Sequence, residues 1–300
     1  MPGTVPPHAM KPAPFDYHRP ETAAEAVGLL ADLGDEAKIL AGGQSLIPML
    51  ALRLTAFGDL VDIGRVDGLH GVERRADEVW IGAGTTAAAI ESSAVVAAGV
   101  PLLARATPYV GQFQIRNRGT IGGSLAHADP AAEYPAVAVA LDAELEALSP
   151  RGTHRIPAGA FFTGLWDTAL EPDELLTGVT FPVWSGRCGF AVEELARRHG
   201  DFAIAGATVA IELDPDDRVG RCSIGLIGLG PTPVRAAKAE AAAVGAAVRD
   251  LDPEEVGRLA VADLDAVPSD LHGSSAYRTR IGAVVVARAW SAASREALDA

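Results

Sequence analysis

Residues 115–141 read IRNRGTIGGSLAHADPAAEYPAVAVAL, and two glycines stand near the centre of this stretch. Gly122 and Gly123 are flanked by the hydroxyl residues Thr120 and Ser124, and an apolar segment follows. Because glycine has no Cβ, another molecule can approach the main chain of such a loop directly. Backbone N–H groups and hydroxyls presented in this way suit a phosphate group. The stretch therefore predicts a phosphate-binding loop followed by a buried helix.

A second glycine pair occurs in ILAGGQSLIPML, residues 39–50. Gly42 and Gly43 follow an apolar segment and precede Gln44 and Ser45. For a single pair, an ordinary tight turn between a strand and a helix is the alternative explanation. Two loops of the same character favour one shared ligand, and a pyrophosphate would accept hydrogen bonds from the amides of both.

Composition excludes several classes of ligand and protein. The chain has 300 residues, of which 49% are hydrophobic and 21% charged, so it is long enough for two globular domains. Its formal net charge of -14 disfavours binding to nucleic acid or anionic lipid. The proline-rich first 20 residues do not resemble a secretory signal, and no apolar run of about 18 residues predicts a membrane helix. We expect a cytoplasmic protein without an integral membrane segment.

No catalytic or metal-binding residue emerges from the motifs. Cys188 and Cys222 are the only cysteines, so the chain cannot ligate an iron–sulfur cluster of its own. His127 and Asp129 lack a third ligand at a suitable spacing, which makes a metal site a poor explanation and a solvated loop histidine a better one. No nucleophile elbow, phosphate-binding Walker loop or pair of catalytic carboxylates is present.

Strand-like and helical patterns alternate in the first half of the chain. TAAEAVGLLADLG predicts a helix that ends at Gly34, AKIL, LVDIG and VWIGAG predict strands, and TTAAAIESSAVV predicts a helix capped by Thr85 or Thr86. This alternation predicts an α/β layer.

The second half has a different order of elements. FAIAGATVAIELD and RVGRCSIGLIGLG predict two strands joined by the hairpin PDDRVG. Three alanine-rich helical segments follow: VRAAKAEAAAVGAAVRDL, DPEEVGRLAVADL and SAYRTRIGAVVVARAWSAASREAL. Strands followed by helices indicate an α+β domain, with a boundary in FPVWSGR, residues 181–187.

A third glycine-rich motif has the outline of a dinucleotide-binding turn. Gly82, Gly84 and Ala87 form GxGxxA after a predicted strand. The acidic residue that this fold requires about 20 positions further on is missing. We therefore expect these glycines to serve close packing between a strand and a helix.

Three segments resemble a known family. AGGQS, QIRNRGTIGGSLAHADPAAEYP and EELARRHGDFAIAGATV are similar to the FAD-binding medium subunit of the molybdenum hydroxylases, the xanthine dehydrogenase and carbon monoxide dehydrogenase family. The resemblance runs from FDYHRP to the terminal helix. It implies an α+β fold in which residues 1–183 form a vanillyl-alcohol-oxidase-type (PCMH-type) FAD-binding domain of two α/β lobes. Residues 184–295 would form a carbon monoxide dehydrogenase flavoprotein-like C-terminal domain with a three-stranded antiparallel sheet and helices.

The same resemblance implies FAD as the cofactor and a set of binding residues. These are Leu40, Ala41, Gly42, Gly43, Gln44, Ser45, Leu46, Thr120, Ile121, Gly122, Gly123, Ser124, Glu133, Leu176 and Phe202. Glu133 would accept hydrogen bonds from ribose hydroxyls. Phe202 would lie against the isoalloxazine ring or pack in the core, and Leu176 would contact adenine or, in the favoured interpretation, fill the core.

Three functional readings remain open at this stage. In the first, the chain passes electrons from a small iron–sulfur subunit, partnered by a large molybdopterin-binding subunit, to an external quinone, NAD or oxygen, within a heterohexamer. In the second, it is a stand-alone FAD-dependent oxidoreductase, which would require a catalytic base or serine in the C-terminal domain. In the third, it is a non-catalytic dinucleotide-binding protein that uses the GxGxxA turn. The first glycine loop of this chain reads AGGQS, whereas the corresponding motif of carbon monoxide dehydrogenases is similar to AGGHS. Because Gln44 replaces the histidine of that motif, the resemblance leaves the substrate of the complex open.

Overall fold

The computed structural model describes residues 11–300, and residues 1–10 of the proline-rich opening lie outside the described part. The first lobe contains β1 (Asp16–His18), α1 (Ala23–Leu33), β2 (Ala37–Leu40), α2 (Leu46–Ala51) and β3 (Asp59–Asp62). Its strands are parallel in the order β1-β3-β2, and α1 packs beside them. This lobe has the predicted α/β arrangement.

Local sequence explains where α1 begins and ends. Thr22 and Glu25 form a reciprocal capping box at its start. Ala26, Val27 and Leu30 form its buried face, and Gly34 follows with a φ of +63°. The helix therefore ends at the predicted position and leads into β2, whose last residue precedes the glycine pair at 42–43.

The second lobe is built on a five-stranded sheet. Its elements are β4 (Val72–Arg75), β5 (Glu78–Gly82), α3 (Ala87–Glu91), α4 (Ala94–Gly99), α5 (Pro101–Ala106), α6 (Phe113–Arg116), α7 (Ile121–His127), α8 (Glu133–Ala140), β6 (Glu144–Ser149), β7 (Gly152–Pro157), α9 (Ala158–Phe161), β8 (Phe162–Gly164), β9 (Asp167–Thr168) and β10 (Leu175–Pro182). The sheet order is β4-β5-β10-β6-β7, and every neighbouring pair is antiparallel. The parallel layer that the strand–helix alternation suggested is absent from this sheet, because β4–β5 and β6–β7 are hairpins.

The predicted helix over TTAAAIESSAVV is interrupted. Thr86 caps α3 by accepting a hydrogen bond from the amide of Ala89, and Ser93 caps α4 in the same way from Val96. A serine that bonds to backbone amides ends one helix and begins the next. Two short helices therefore replace the single expected one.

The space beside the GxGxxA motif is filled by other residues of the chain. A Cβ on Gly82 would lie 2.5 Å from the carbonyl oxygen of Leu69, and one on Gly84 would lie 2.6 Å from Cε1 of His70. Both glycines thus allow residues 69–70 to approach the turn, which confirms close packing. The partner is the segment before β4, however, and not the predicted helix.

The C-terminal domain packs one antiparallel sheet against helices. It contains β11 (Arg187–Leu195), β12 (Ala205–Leu213), β13 (Val219–Ile227), β14 (Val234–Arg235), α10 (Ala237–Ala243), α11 (Pro253–Ala260) and α12 (Ser275–Asp299). The three long strands are those of the predicted sheet, and the two-residue β14 adds a fourth at the edge of β13. The first alanine-rich helix is shorter than predicted, since it ends at Ala243 and Gly245 then takes a φ of +82°. The terminal helix is confirmed.

Strand β11 joins the two domains. Phe190 and Val192 belong to the core of the second lobe, whereas Ala191 and Leu195 pack in the core of the C-terminal domain. Alternate side chains of one strand thus enter two different cores. The predicted domain boundary between residues 183 and 184 falls in the connection between β10 and β11.

Candidate functional site

The first glycine loop, residues 41–46, begins where β2 ends and leads into α2. Gly43 has a φ of +73°, a conformation that glycine adopts without strain. In the described part of the chain, the backbone amides at five successive positions donate no hydrogen bond to protein: Gly42, Gly43, Gln44, Ser45 and Leu46. Main-chain donors rarely stay unpaired when water is excluded, so five adjacent free amides form a ready site for an anion.

In the second glycine loop, residues 120–124, the four amides of residues 121–124 are already hydrogen-bonded within the chain. Its amides donate as follows: Ile121 to Thr85 O at 3.0 Å, Gly122 to Ala83 O at 2.9 Å, Gly123 to Thr120 Oγ1 at 3.0 Å, and Ser124 to Thr120 O at 3.0 Å. The prediction that both loops present backbone amides is therefore wrong for this loop. Thr120 accepts hydrogen bonds from two of these amides, those of Gly123 and Ser124, because it caps α7. The hydroxyl hydrogen of Thr120 and the side chain of Ser124 are what this loop still offers.

The two loops nevertheless form one structure. A Cβ on Gly42 would clash with the carbonyl oxygen of Arg118, and a Cβ on Gly123 would lie 3.4 Å from that of Ala41. Gly42 and Gly123 thus let the loops pack edge to edge. Gly122 has a different partner, since its Cβ would clash with Ala83.

A cavity of about 450 Å³ opens beside the first glycine loop. It is lined by Tyr17, Leu40, Gly42, Gly43, Gln44, Ile47, Pro48, Asp62 and Arg118. Another cavity, of about 380 Å³, lies beside Arg151, His154 and Glu174 and contains none of the predicted site residues.

Arg118 is a functional candidate that the sequence reasoning missed. Within residues 11–300 its exposed side chain forms no ion pair and donates no hydrogen bond. Arg116 and Arg151, by contrast, each pair with a carboxylate. It is the cation among the described residues that line the cavity. The signal was present in RNRGT, but a strongly acidic chain led us to expect that amides alone would hold an anion.

Two other side chains shape this cavity. Tyr17 donates its hydroxyl hydrogen to Asp62, and this hydrogen bond raises the pKa of Tyr17. Asp62 also accepts a hydrogen bond from the amide of Gly64 at 2.8 Å. Gln44 folds back on its own loop, where its Nε2 donates to Gly42 O at 3.0 Å. The negative charge of Asp62 is thus already hydrogen-bonded.

Glu133 begins α8 and is 8% exposed. Burial, with a smaller contribution from the charge of Asp129, raises the pKa of Glu133 to about 7. In the described residues its carboxylate accepts no hydrogen bond from another side chain. A buried carboxylate in this condition needs a donor, and a sugar hydroxyl would supply one.

Phe202 and Leu176 differ in exposure. Phe202 is 68% exposed and lies ahead of β12, so the alternative that it packs in the core is wrong. Leu176 is 5% exposed and belongs to the core of the second lobe, so the favoured core interpretation is confirmed.

His127 is not a solvated loop residue. It ends α7 and stacks on Trp166, with ring centroids 6.5 Å apart and an interplanar angle of 7°. Burial lowers the pKa of His127. Between residues 11 and 300, no three His, Cys, Asp or Glu side chains are grouped so that they could hold a metal ion. Over the same residues, no helix is both long and apolar enough to cross a membrane.

Comparison with known proteins identifies the family. Residues 13–184 match the FAD binding domain in molybdopterin dehydrogenase, and residues 190–293 match the CO dehydrogenase flavoprotein C-terminal domain. The chain belongs to the molybdopterin dehydrogenase flavoproteins. As a member of this family it is the FAD-carrying, electron-transferring subunit of an oxidoreductase.

Relatives and solved structures of this flavoprotein family match over nearly the whole chain. The chain is 40% identical to the 6-hydroxypseudooxynicotine dehydrogenase complex subunit alpha of Paenarthrobacter nicotinovorans, covering 93% of this chain and 94% of the relative. It is 37% identical to the carbon monoxide dehydrogenase medium chain of Hydrogenophaga pseudoflava, covering 95% and 98%. A structure of carbon monoxide dehydrogenase from that organism matches with a TM-score of 0.93 at 38% identity, covering 96% and 99%. Quinoline 2-oxidoreductase from Pseudomonas putida 86 matches with a TM-score of 0.91 at 32% identity, covering 96% and 100%.

The first glycine loop fits the diphosphate of the family's cofactor. Three of the five residues with free amides, Gly42, Gly43 and Gln44, line the same cavity as the unpaired guanidinium of Arg118. These donors complement two negative charges without a basic patch. The second loop supports the first by packing against it.

Proposed function

We propose that this chain holds the pyrophosphate of FAD in the cavity beside the first glycine loop, and that it relays electrons within a molybdenum hydroxylase complex. The observation that carries the proposal is the run of free amides from Gly42 to Leu46, whose first three residues line one cavity together with Arg118. In a chain with a formal net charge of -14, an isolated set of donors of this kind is where a dianion gains most.

The predicted site residues take different parts in this proposal. Amides 42–46 and the guanidinium of Arg118 bind the pyrophosphate, and the hydroxyls of Ser45, Thr120 and Ser124 add donors around it. Glu133 accepts a hydrogen bond from a sugar hydroxyl. Backbone and shape come from a further group of residues: Leu40, Ala41, Ile121, Gly122 and Gly123.

FAD, when bound, supplies the exchange between one-electron and two-electron transfer. The chain's own residues bind and orient the cofactor and exclude water from its buried side. Phe202, an exposed aromatic on the loop before β12, would cover the isoalloxazine ring. No acid–base residue is required for this task.

The proposed partners are an iron–sulfur small subunit and a molybdopterin-binding large subunit, assembled as a heterohexamer in the cytoplasm. Cys188 and Cys222 lie on different strands, so clusters must belong to another chain. Relatives are named as a medium chain or a medium subunit, which indicates multi-subunit enzymes. The final acceptor would be a quinone, NAD or oxygen.

Substrate choice is proposed to lie with the partners. Relatives named for carbon monoxide, caffeine and nicotine are 37%, 36% and 37% identical to this chain. Such similar identities across unlike substrates are expected if this subunit handles only electrons.

Co-expression with the candidate partner subunits tests this function. The expected product is a complex that contains FAD, iron and molybdenum. Addition of substrate should reduce the flavin of this complex, which lowers its absorbance at about 450 nm. Removal of the iron–sulfur subunit should abolish that reduction while FAD stays bound. Turnover of a small substrate by the isolated chain would instead support the stand-alone oxidoreductase.

A further inference from the structure

A second carboxyl group lies at the junction of the two domains, close to Glu133. Glu194 is in phase with Phe190 and Val192 on β11, so its side chain points toward the FAD-binding domain rather than toward α12. Its Oε2 is enclosed and has no hydrogen-bond partner. An enclosed oxygen without a partner is costly unless a ligand or water completes it.

The fold brings Glu133 and Glu194 to the same end of the C-terminal sheet. Glu194 pairs with Gly206 at the start of β12, and Gly206 pairs with Ile227 at the end of β13. Ile227 packs with Ala136 of α8, one turn after Glu133. The loop that carries Phe202 leads into this same end of the sheet.

All charged groups that act on this pair are acidic. Burial and the charge of Glu133 raise the pKa of Glu194 to about 8, and burial and Asp129 raise that of Glu133. Tyr109 is a neighbour of Glu194, and burial together with the charges of Glu193 and Glu194 raises the pKa of Tyr109. Tyr134 lies beside Glu133 and donates its hydroxyl hydrogen to Thr107 at 3.2 Å. The cation Arg116 acts on Tyr134 but not on either carboxyl, so one carboxyl stays neutral near pH 7.

We propose that Glu194, as a neutral acid, is a second FAD-contacting residue and brackets one sugar hydroxyl of the cofactor together with Glu133. The Glu194 O–H donates to the hydroxyl oxygen, and the hydroxyl hydrogen is donated to the Glu133 carboxylate. Oε2 of Glu194 thereby gains the partner that it lacks in the described chain. This inference rests on the proposed function and adds a residue that the sequence motifs did not indicate.

The test is the dissociation constant of FAD for the flavin-free chain, measured between about pH 6 and about pH 9 by quenching of flavin fluorescence. Ionisation of Glu194 removes its donor and adds a charge, so the constant should rise about tenfold or more from pH 7 to pH 9. E194Q keeps a neutral donor of the same shape and should bind as wild type at pH 7 with little change up to pH 9. E193Q, altered at the neighbouring position that faces away, should follow the wild-type curve.

Two results would overturn the inference. One is a wild-type dissociation constant that does not change with pH; the other is an E194Q variant that retains the wild-type pH dependence. Circular dichroism of each variant establishes that it is folded. A wild-type chain that takes up no FAD at any pH refutes the proposed function and this inference together, whereas pH-independent uptake refutes the inference alone.

Discussion

Arg118→Gln should weaken FAD binding more than the loss of any other single charge at the surface. Arg118 is the cation that lines the cavity of the first glycine loop, and the other charge there, Asp62, is already bound to Tyr17 and Gly64. Removing the guanidinium leaves a net negative lining opposite a doubly charged pyrophosphate. The five amides remain, so binding should be reduced rather than abolished.

The size of the effect follows from the contact that is lost. A hydrogen bond between charged groups contributes about 1.5–3 kcal/mol, and exposure of Arg118 to solvent favours the lower part of that range. A loss of about 2 kcal/mol raises the dissociation constant about 30-fold. Added salt screens an exposed charge, so the wild-type advantage should shrink between low and high ionic strength.

Titration of flavin-free chain with FAD at two salt concentrations measures both quantities. Arg288→Gln is the matched control, because Arg288 is an exposed arginine on α12 in the C-terminal domain. Arg118→Lys should recover part of the affinity, since lysine keeps the charge but not the planar fork. Equal dissociation constants for R118Q and R288Q would refute the assignment of Arg118.

Further expected outcomes concern the second loop, the acidic pair and the exposed aromatic. Gly123→Val places a side chain 2.9 Å from Thr120 Oγ1 and against the first loop, so FAD content should fall below about a tenth of wild type with the fold retained. Gly159→Val is the control, because no atom lies within 4 Å of a Cβ at that position. A G123V variant that is fully loaded with FAD would contradict the packing of the two loops. Burial raises the pKa of Glu194 from 4.5 to about 8, so wild type loses stability as pH rises through that window. E194Q should therefore unfold a few degrees higher than wild type near pH 9, by about 1–3 kcal/mol, but not near pH 5, and equal melting at both pH values would contradict the burial. Phe202→Ala should change the melting temperature little, because the side chain is exposed, yet weaken FAD binding by about 0.5–1.5 kcal/mol, and unchanged affinity would show that the ring does not touch the flavin.

Local signals predicted the elements that position the site. The capping residue Thr86 and the helix end at Gly34 were recognised because a cap needs only residues within a few positions. Two of the three long strands of the C-terminal domain, β12 and β13, were predicted because each is an apolar segment bounded by turn residues. The third, β11, was expected only from the three-stranded sheet that the family resemblance implies.

Features that depend on distant partners escaped prediction. Two amides of the second loop, those of Ile121 and Gly122, donate to Thr85 and Ala83, which lie 36 and 39 positions earlier in the chain. Their loss as donors therefore could not be recognised from the motif itself. The guanidinium of Arg118 likewise has no ion-pair partner among the described residues, because Asp62 in the same cavity is bonded to Tyr17 and Gly64 instead. Glu194 could be recognised only once the structure showed which side chains of β11 enter the core of the second lobe and which enter the core of the C-terminal domain. A single sequence specifies none of these long-range relations directly.

Hydrogen exchange of backbone amides, with and without FAD, tests the central claim most directly. Peptides that span the first glycine loop contain the free amides of residues 42–46, whereas residues 121–124 are already hydrogen-bonded. Binding of FAD should therefore slow exchange strongly in the first loop and change it little in the second. Unchanged exchange at residues 42–46 on addition of FAD would contradict the account.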